Sequence, residues 1–110
     1  MNTRGKVLLV TGGARGIGRS VVLKAASSGY RVAFSYLADD AAAAAVVAEC
    51  EAMGSDALAL RSDVGDRAAV GDLFRAVDSH FGRLDALVNN AGITGPNSSF
   101  LDAAPETMDA

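Results

Sequence analysis

The chain has 110 residues, 50% apolar and 21% charged, with a net charge of −3. That is the composition of one small globular domain, and it excludes an intrinsically disordered segment. No basic stripe of the kind that nucleic acid or an anionic membrane attracts is present, the longest apolar stretch, Ala41 to Ala48, is too short to span a bilayer, and the single Cys50 excludes an internal disulfide.

Lys6 to Val10 reads as a strand buried on both faces, its apolar run ending in a turn signal. The turn is Thr11-Gly12-Gly13-Ala14-Arg15-Gly16-Ile17-Gly18. Its glycines permit tight turning and close approach of a ligand to the backbone. The spacing is G-x-x-x-G-x-G at Gly12, Gly16 and Gly18, and differs from the G-x-G-x-x-G fingerprint. A helix-like stretch from Arg19 to Ser28 follows, with Ile17, Val21, Val22 and Ala25 predicted as its apolar stripe and Gly29 as its end. Strand, glycine turn and helix in that order present unpaired N–H groups and a positive dipole end to a nucleotide phosphate.

Arg31 to Tyr36 is the second predicted strand. Asp39 or Asp40 can cap an Ala-rich helix that runs to about Met53 and closes at Gly54. Asp56 to Arg61 is a third, weaker strand. Asp63 or Asp66 can cap a third helix, whose stripe is Val70, Leu73, Phe74, Val77 and Phe81 and whose end is Gly82. Leu84 to Val88 is a fourth strand, opening into Asn89-Asn90-Ala91-Gly92. Alternating strands and helices with short connections predict an α/β fold, a Rossmann-like, doubly wound parallel sheet with helices on both faces. A ligand at the switch point between the first and fourth strands gives the order 3-2-1-4. Thr94 to Ser99 reads as a polar loop, and Ala104 to Ala110 as the start of a helix. In that order the fourth strand lacks an outer neighbour, and with the interrupted last helix this leads to the expectation of one incomplete dinucleotide-binding domain, truncated after the fourth strand. No metal constellation is present, Asp85 reads as structural, and His80 as a surface residue late in the third helix. Met1 to Lys6 runs straight into a strand without a signal-peptide core, so a cytoplasmic location is expected, with no nucleic-acid or membrane partner.

These residues resemble the short-chain dehydrogenase/reductase family. The resemblance rests on Thr11-Gly12-x-x-x-Gly16-Ile17-Gly18, on Asp63-Val64 and on Leu87-Val88-Asn89-Asn90-Ala91-Gly92, in that order and at the family's spacing. It covers essentially the whole chain but only the family's first half. The resemblance implies an oxidoreductase that exchanges a hydride between a nicotinamide cofactor and a carbonyl or secondary alcohol. It implies that the Gly12 to Gly18 backbone (with Gly13, Ala14 and Arg15 between) wraps the pyrophosphate and adenosine ribose, that Asp63 and the Val64 backbone contact adenine, and that Asn90, Ala91 and Gly92 line the nicotinamide ribose. Asn89 is expected to tie neighbouring strands.

NAD-selective sites place a carboxylate at the end of the second strand. Ser35-Tyr36 stands there instead, and Arg15 can reach a 2′-phosphate as a charged donor, so NADP(H) is expected over NAD(H). The competing reading takes Asp39 or Asp40 as the ribose carboxylate. The family's Ser, Tyr-x-x-x-Lys and helix Asn are absent from these residues: four positions after Tyr30 and Tyr36 stand Phe34 and Asp40. No catalytic residue is therefore expected in this chain, which by itself should bind cofactor at most. The full-length form is expected to be a homo-oligomer acting on a small molecule. A keto-acyl thioester, a sugar or polyol and a steroid remain open as substrates, the first slightly preferred. The alternative is a stand-alone, non-catalytic dinucleotide-binding module.

Overall fold

A computed structural model describes residues 5–90 as β1 (Val7–Thr11), α1 (Gly16–Ser27), β2 (Arg31–Tyr36), α2 (Asp40–Ala52), β3 (Ala57–Arg61), α3 (Arg67–Phe81) and β4 (Ala86–Asn89). The strands form one parallel sheet, as the alternation predicted, in the order β3-β2-β1-β4 expected from a ligand at the switch point. β1 lies between β2 and β4, and all five of its residues are buried. Its alternate side chains feed two cores. Leu8 and Val10 join Val32 and Phe34 under α1 and α2, where Val22, Ala25, Val46 and Cys50 complete the layer. Val7 and Leu9 join Ala33 beneath Leu73, Val77 and Phe81 of α3. Helices therefore cover both faces, and this is why β1 reads as an unbroken apolar run.

The structure resolves the paired alternatives for the helix caps. Asp39, not Asp40, caps α2, accepting from the Ala42 N–H at 2.9 Å. Asp66, not Asp63, caps α3, accepting from the Ala68 N–H at 3.0 Å. The Asp63 carboxylate instead accepts the Gly65 N–H at 3.0 Å in the preceding turn. Gly82, at φ +74°, closes α3 in the left-handed region. The two strands flanking the site end one residue later than expected, at Thr11 and Asn89.

One helix face differs from the expectation. α1 starts at Gly16, before Arg19, and its buried residues are Gly18, Val22, Ala25 and Ala26. Ile17 is 60% exposed. The stripe runs through Gly18 because the helix presses that glycine against the Gly12 carbonyl; Ile17, one residue earlier and about 100° around the helix, then faces outward. Likewise Phe74 is partly exposed, and α3 buries Leu73, Val77 and Phe81 at a spacing of four. Asp85 is structural, as expected: its carboxylate accepts the Val7 N–H at 2.8 Å and pairs with Arg83, tying the approach to β4 onto the start of β1. The predicted loop at 94–99 and helix start at 104–110 lie outside the described residues.

Candidate functional site

All four strands are parallel, so their carboxyl ends gather at one edge of the sheet. Thr11, Ser35-Tyr36, Arg61 and Asn89-Asn90 all reach that edge. At its centre is the backbone of Gly12, held from two sides. On the β2 side the Gly12 N–H donates to the buried Ser35 Oγ at 3.1 Å, and the Gly13 N–H donates to the Ser35 carbonyl at 2.9 Å. On the β4 side Asn90 Nδ2 donates to the Gly12 carbonyl at 3.1 Å. Just before the loop, Thr11 Oγ1 donates to Asn89 Oδ1 at 2.9 Å, which joins β1 to β4 as expected for Asn89. Ser35 thus acts on the loop directly, as its clamp.

The motif's glycines serve different ends. Gly12 and Gly16 adopt φ of +71° and +59°, where a side chain is strained. A Cβ on Gly16 would meet nothing within 4 Å, so that backbone lies open to an approaching ligand. Gly18 has no such φ, but a Cβ there would lie 1.9 Å from the Gly12 carbonyl oxygen. A Cβ on Gly13 would lie 2.5 Å from Phe34 Cβ. The loop is therefore packed tightly inward and left open outward.

The N-terminus of α1 differs from its counterparts. Asp39 and Asp66 cap α2 and α3, whereas Arg15 at the N-cap of α1 makes no side-chain cap bond and the first turn carries no acid. The first-turn N–H groups and the positive dipole end are thus offered to an external anion. The donor set fits the phosphates of a dinucleotide. Beside it lies a cleft of about 160 Å³, lined by Gly12, Ala14, Arg15, Tyr36, Leu37 and Asp39 among others. Arg15 Nη2 is 3.6 Å from Asp39 Oδ2 across this cleft.

The Tyr36 hydroxyl donates to Asp40 Oδ1 at 2.8 Å, and that bond to a carboxylate pushes the phenol above its ordinary pKa. Tyr36 also lines the cleft. Arg61 is a residue that sequence reasoning missed. From the end of β3 its Nε donates to the Leu37 carbonyl at 3.2 Å, and its Nη1 lies 3.8 Å from Asp40. Its only sequence signal is its place at the carboxyl end of a strand.

Asp63 is exposed just beyond β3, and Val64 is half-buried against the α3-side core. Both lie at the carboxyl edge with the loop. Ala91 and Gly92 lie outside the described residues. Among the described residues no group of three or more His, Cys, Asp or Glu could hold a metal ion, and no helix is long and apolar enough to cross a membrane. His80 is exposed and lies 3.8 Å from Asp56, which precedes β3 at the opposite edge of the sheet.

The profile of the short chain dehydrogenase family matches residues 6–110. The 3-oxoacyl-[acyl-carrier-protein] reductase FabG of Staphylococcus aureus is 49% identical over 92 residues, which are 84% of this chain and 37% of that protein. The L-rhamnose 1-dehydrogenase (NAD(P)(+)) of a Sphingomonas species is 40% identical over 105 residues, 96% of this chain and 41% of that protein. Among solved structures, a blue fluorescent protein from a metagenomic library in complex with NADPH superposes with a TM-score of 0.81 at 40% identity, covering 99% of this chain and 46% of that one. The chain spans less than half the length of each. A parallel 3-2-1-4 sheet, a glycine loop clamped by Ser35 and Asn90, and a match along nearly its whole length place the chain in the short-chain dehydrogenase/reductase family.

Proposed function

We propose that this chain is the cofactor-binding portion of an NADP(H)-dependent oxidoreductase that interconverts a carbonyl and a secondary alcohol. The observation that carries the reading is the uncapped N-terminus of α1, reached through an outward-open glycine loop with Arg15 at its head. In this reading the Gly12 to Gly18 backbone holds the pyrophosphate and adenosine ribose. Arg15 donates to the 2′-phosphate, and Tyr36 walls the ribose. Ser35 and Asn90 hold the loop in shape from either side. Asp63 and the Val64 backbone receive adenine, and Asn90, Ala91 and Gly92 line the nicotinamide ribose. Bound NADPH supplies the hydride.

The Tyr-x-x-x-Lys pair that would move the proton is not among the 110 residues, so turnover needs groups that these residues do not include. The likeness to a 3-oxoacyl-[acyl-carrier-protein] reductase supports a keto-acyl thioester as first choice of substrate, with a sugar second. The setting is a cytoplasmic homo-oligomer.

Arg15→Ala tests the cofactor assignment. A hydrogen bond to a charged group contributes about 1.5–3 kcal/mol, so NADPH should bind roughly tenfold to a hundredfold more weakly and NADH nearly as before. Calorimetric titration of the intact gene product measures both. Equal losses for the two cofactors would overturn the NADP(H) assignment.

A further inference from the structure

We propose that Glu49 of α2 is a positioning residue for the pyrophosphate site: through Arg19 it fixes the uncapped first turn of α1. The inference rests on the phosphate-binding role proposed above for that turn. α2 and α3 begin on the capping residues Asp39 and Asp66, whereas Arg15 at the head of α1 makes no side-chain cap bond. The side chains that follow do little to hold the turn. Gly16 and Gly18 have none, Ile17 faces outward, and Ser20 Oγ bonds back to the Gly16 carbonyl of its own turn at 3.4 Å. The first buried side chain of the helix is that of Val22. Arg19 is the exception. Its N–H closes the first turn on the Arg15 carbonyl at 3.2 Å, and its Nη2 donates to both oxygens of Glu49, at 2.6 and 2.8 Å.

Glu49 lies between Val46 and Cys50, both wholly buried in the core under α1 and α2, so the carboxylate stands on a helix that the core fixes. Among the described residues this is the one ion pair that joins two helices. The guanidinium is drawn toward α2 and its charge is matched there. A capping side chain would occupy the first-turn N–H groups, whereas a strut on the flank of the helix leaves them to a ligand. N–H groups already held in one orientation need no ordering when an anion arrives.

The side chains of Arg19 and Glu49 are 42% and 43% exposed, and such a pair is worth up to about fivefold in an equilibrium constant. Kd values for NADPH, NADH and adenosine are measured on the intact gene product well below its thermal midpoint, adenosine by competition. Glu49→Gln and Arg19→Gln should each weaken NADPH and NADH alike, by at least twofold and up to about fivefold. The double variant should lose no more than either single one, because the two residues act as a unit. Arg19→Lys keeps the pair and should lose less than Arg19→Gln. Adenosine carries no pyrophosphate and should bind as it does to the parent.

A tightening in Glu49→Gln with a loss in Arg19→Gln overturns the inference, because Arg19 would then act on the phosphates by its own charge. An adenosine loss as large as that of NADPH overturns it as a general loosening of the fold. A loss below twofold in Glu49→Gln, with Arg15→Ala still selective for NADPH, overturns it and leaves the proposed function standing. If the parent binds neither dinucleotide, the proposed function and the inference fall together.

Discussion

Gly18→Ala adds one methyl group at the tightest point of the site. Its Cβ would lie 1.9 Å from the Gly12 carbonyl oxygen and 2.6 Å from Asn90 Nδ2, so the contact with the Gly12 backbone must open by about 1 Å to become tolerable. Gly18 has no positive φ, and alanine favours a helix by about 1 kcal/mol, so the penalty is steric and not conformational. Overpacking typically costs about 1–3 kcal/mol, and the bond from Asn90 to Gly12 adds about 1 kcal/mol if it breaks. After the gain in propensity, the net loss is about 1–3 kcal/mol out of a domain stability of about 5–15 kcal/mol.

The thermal midpoint of the intact gene product should fall by roughly 2–12 °C. In the proposed reading the displaced loop carries the pyrophosphate contacts, which both cofactors share, so NADPH and NADH should weaken together, by about tenfold or more. Scanning calorimetry and cofactor titration of the intact gene product test both statements. Gly16→Ala is the control: there φ is +59° and a Cβ meets nothing within 4 Å, so its penalty is backbone strain of about 1–2 kcal/mol with Gly12 left in place. A Gly18→Ala protein with an unchanged midpoint and both Kd values within twofold of the parent would refute the reasoning.

Ser62 Oγ is buried without a hydrogen-bond partner among the described residues, so Ser62→Ala should leave the protein equally stable or stabilise it by about 1 kcal/mol in a urea titration. A clear loss would mean that the hydroxyl has a partner in solution. Asp85 is held below the usual carboxylate range, first by the Arg83 guanidinium and then by the Val7 N–H. A depressed folded pKa contributes stability above the unfolded value of about 4, and that contribution disappears as pH falls through the folded value. The stability difference between the parent and Asp85→Asn should therefore be level from pH 7 to about 5 and shrink below about 4. A difference that stays constant into stronger acid would argue against an ionised Asp85 as the tie.

Features written in local chemistry were legible from the chain. The apolar run of β1, the glycine turn and the stop at Gly82 each depend on neighbours within a few residues. Short βαβ connections made the parallel sheet legible, and the 3-2-1-4 order followed from placing a ligand at the switch point. Choices that depend on tertiary placement were not. Asp39 against Asp40, and Asp63 against Asp66, are equal as caps until the strand before each helix fixes where the helix begins. The outward turn of Ile17 follows from the contact of Gly18 with Gly12, which helical periodicity alone does not encode. The clamp from Ser35 to Gly12 spans 23 residues, and that from Arg61 to Leu37 spans 24. Such pairs exist only once the sheet has formed.

One of the longest links of this kind explains why the two motifs belong together. Asn90 and Gly12 are 78 residues apart in sequence, yet the amide of one holds the carbonyl of the other. That bond requires β4 beside β1 on the side away from β2, which is the observed order. The Gly12 N–H is meanwhile held by Ser35 at the end of β2. One peptide segment is thus fixed from both neighbouring strands at the point where the sheet reverses its winding. A rigid loop there can aim the N–H groups of α1 outward without a side-chain cap to organise them. The Gly-rich turn and the Asn-Asn pair therefore form one physical unit: in the proposed reading the first supplies the surface for a dinucleotide, and the second keeps that surface in register with the sheet.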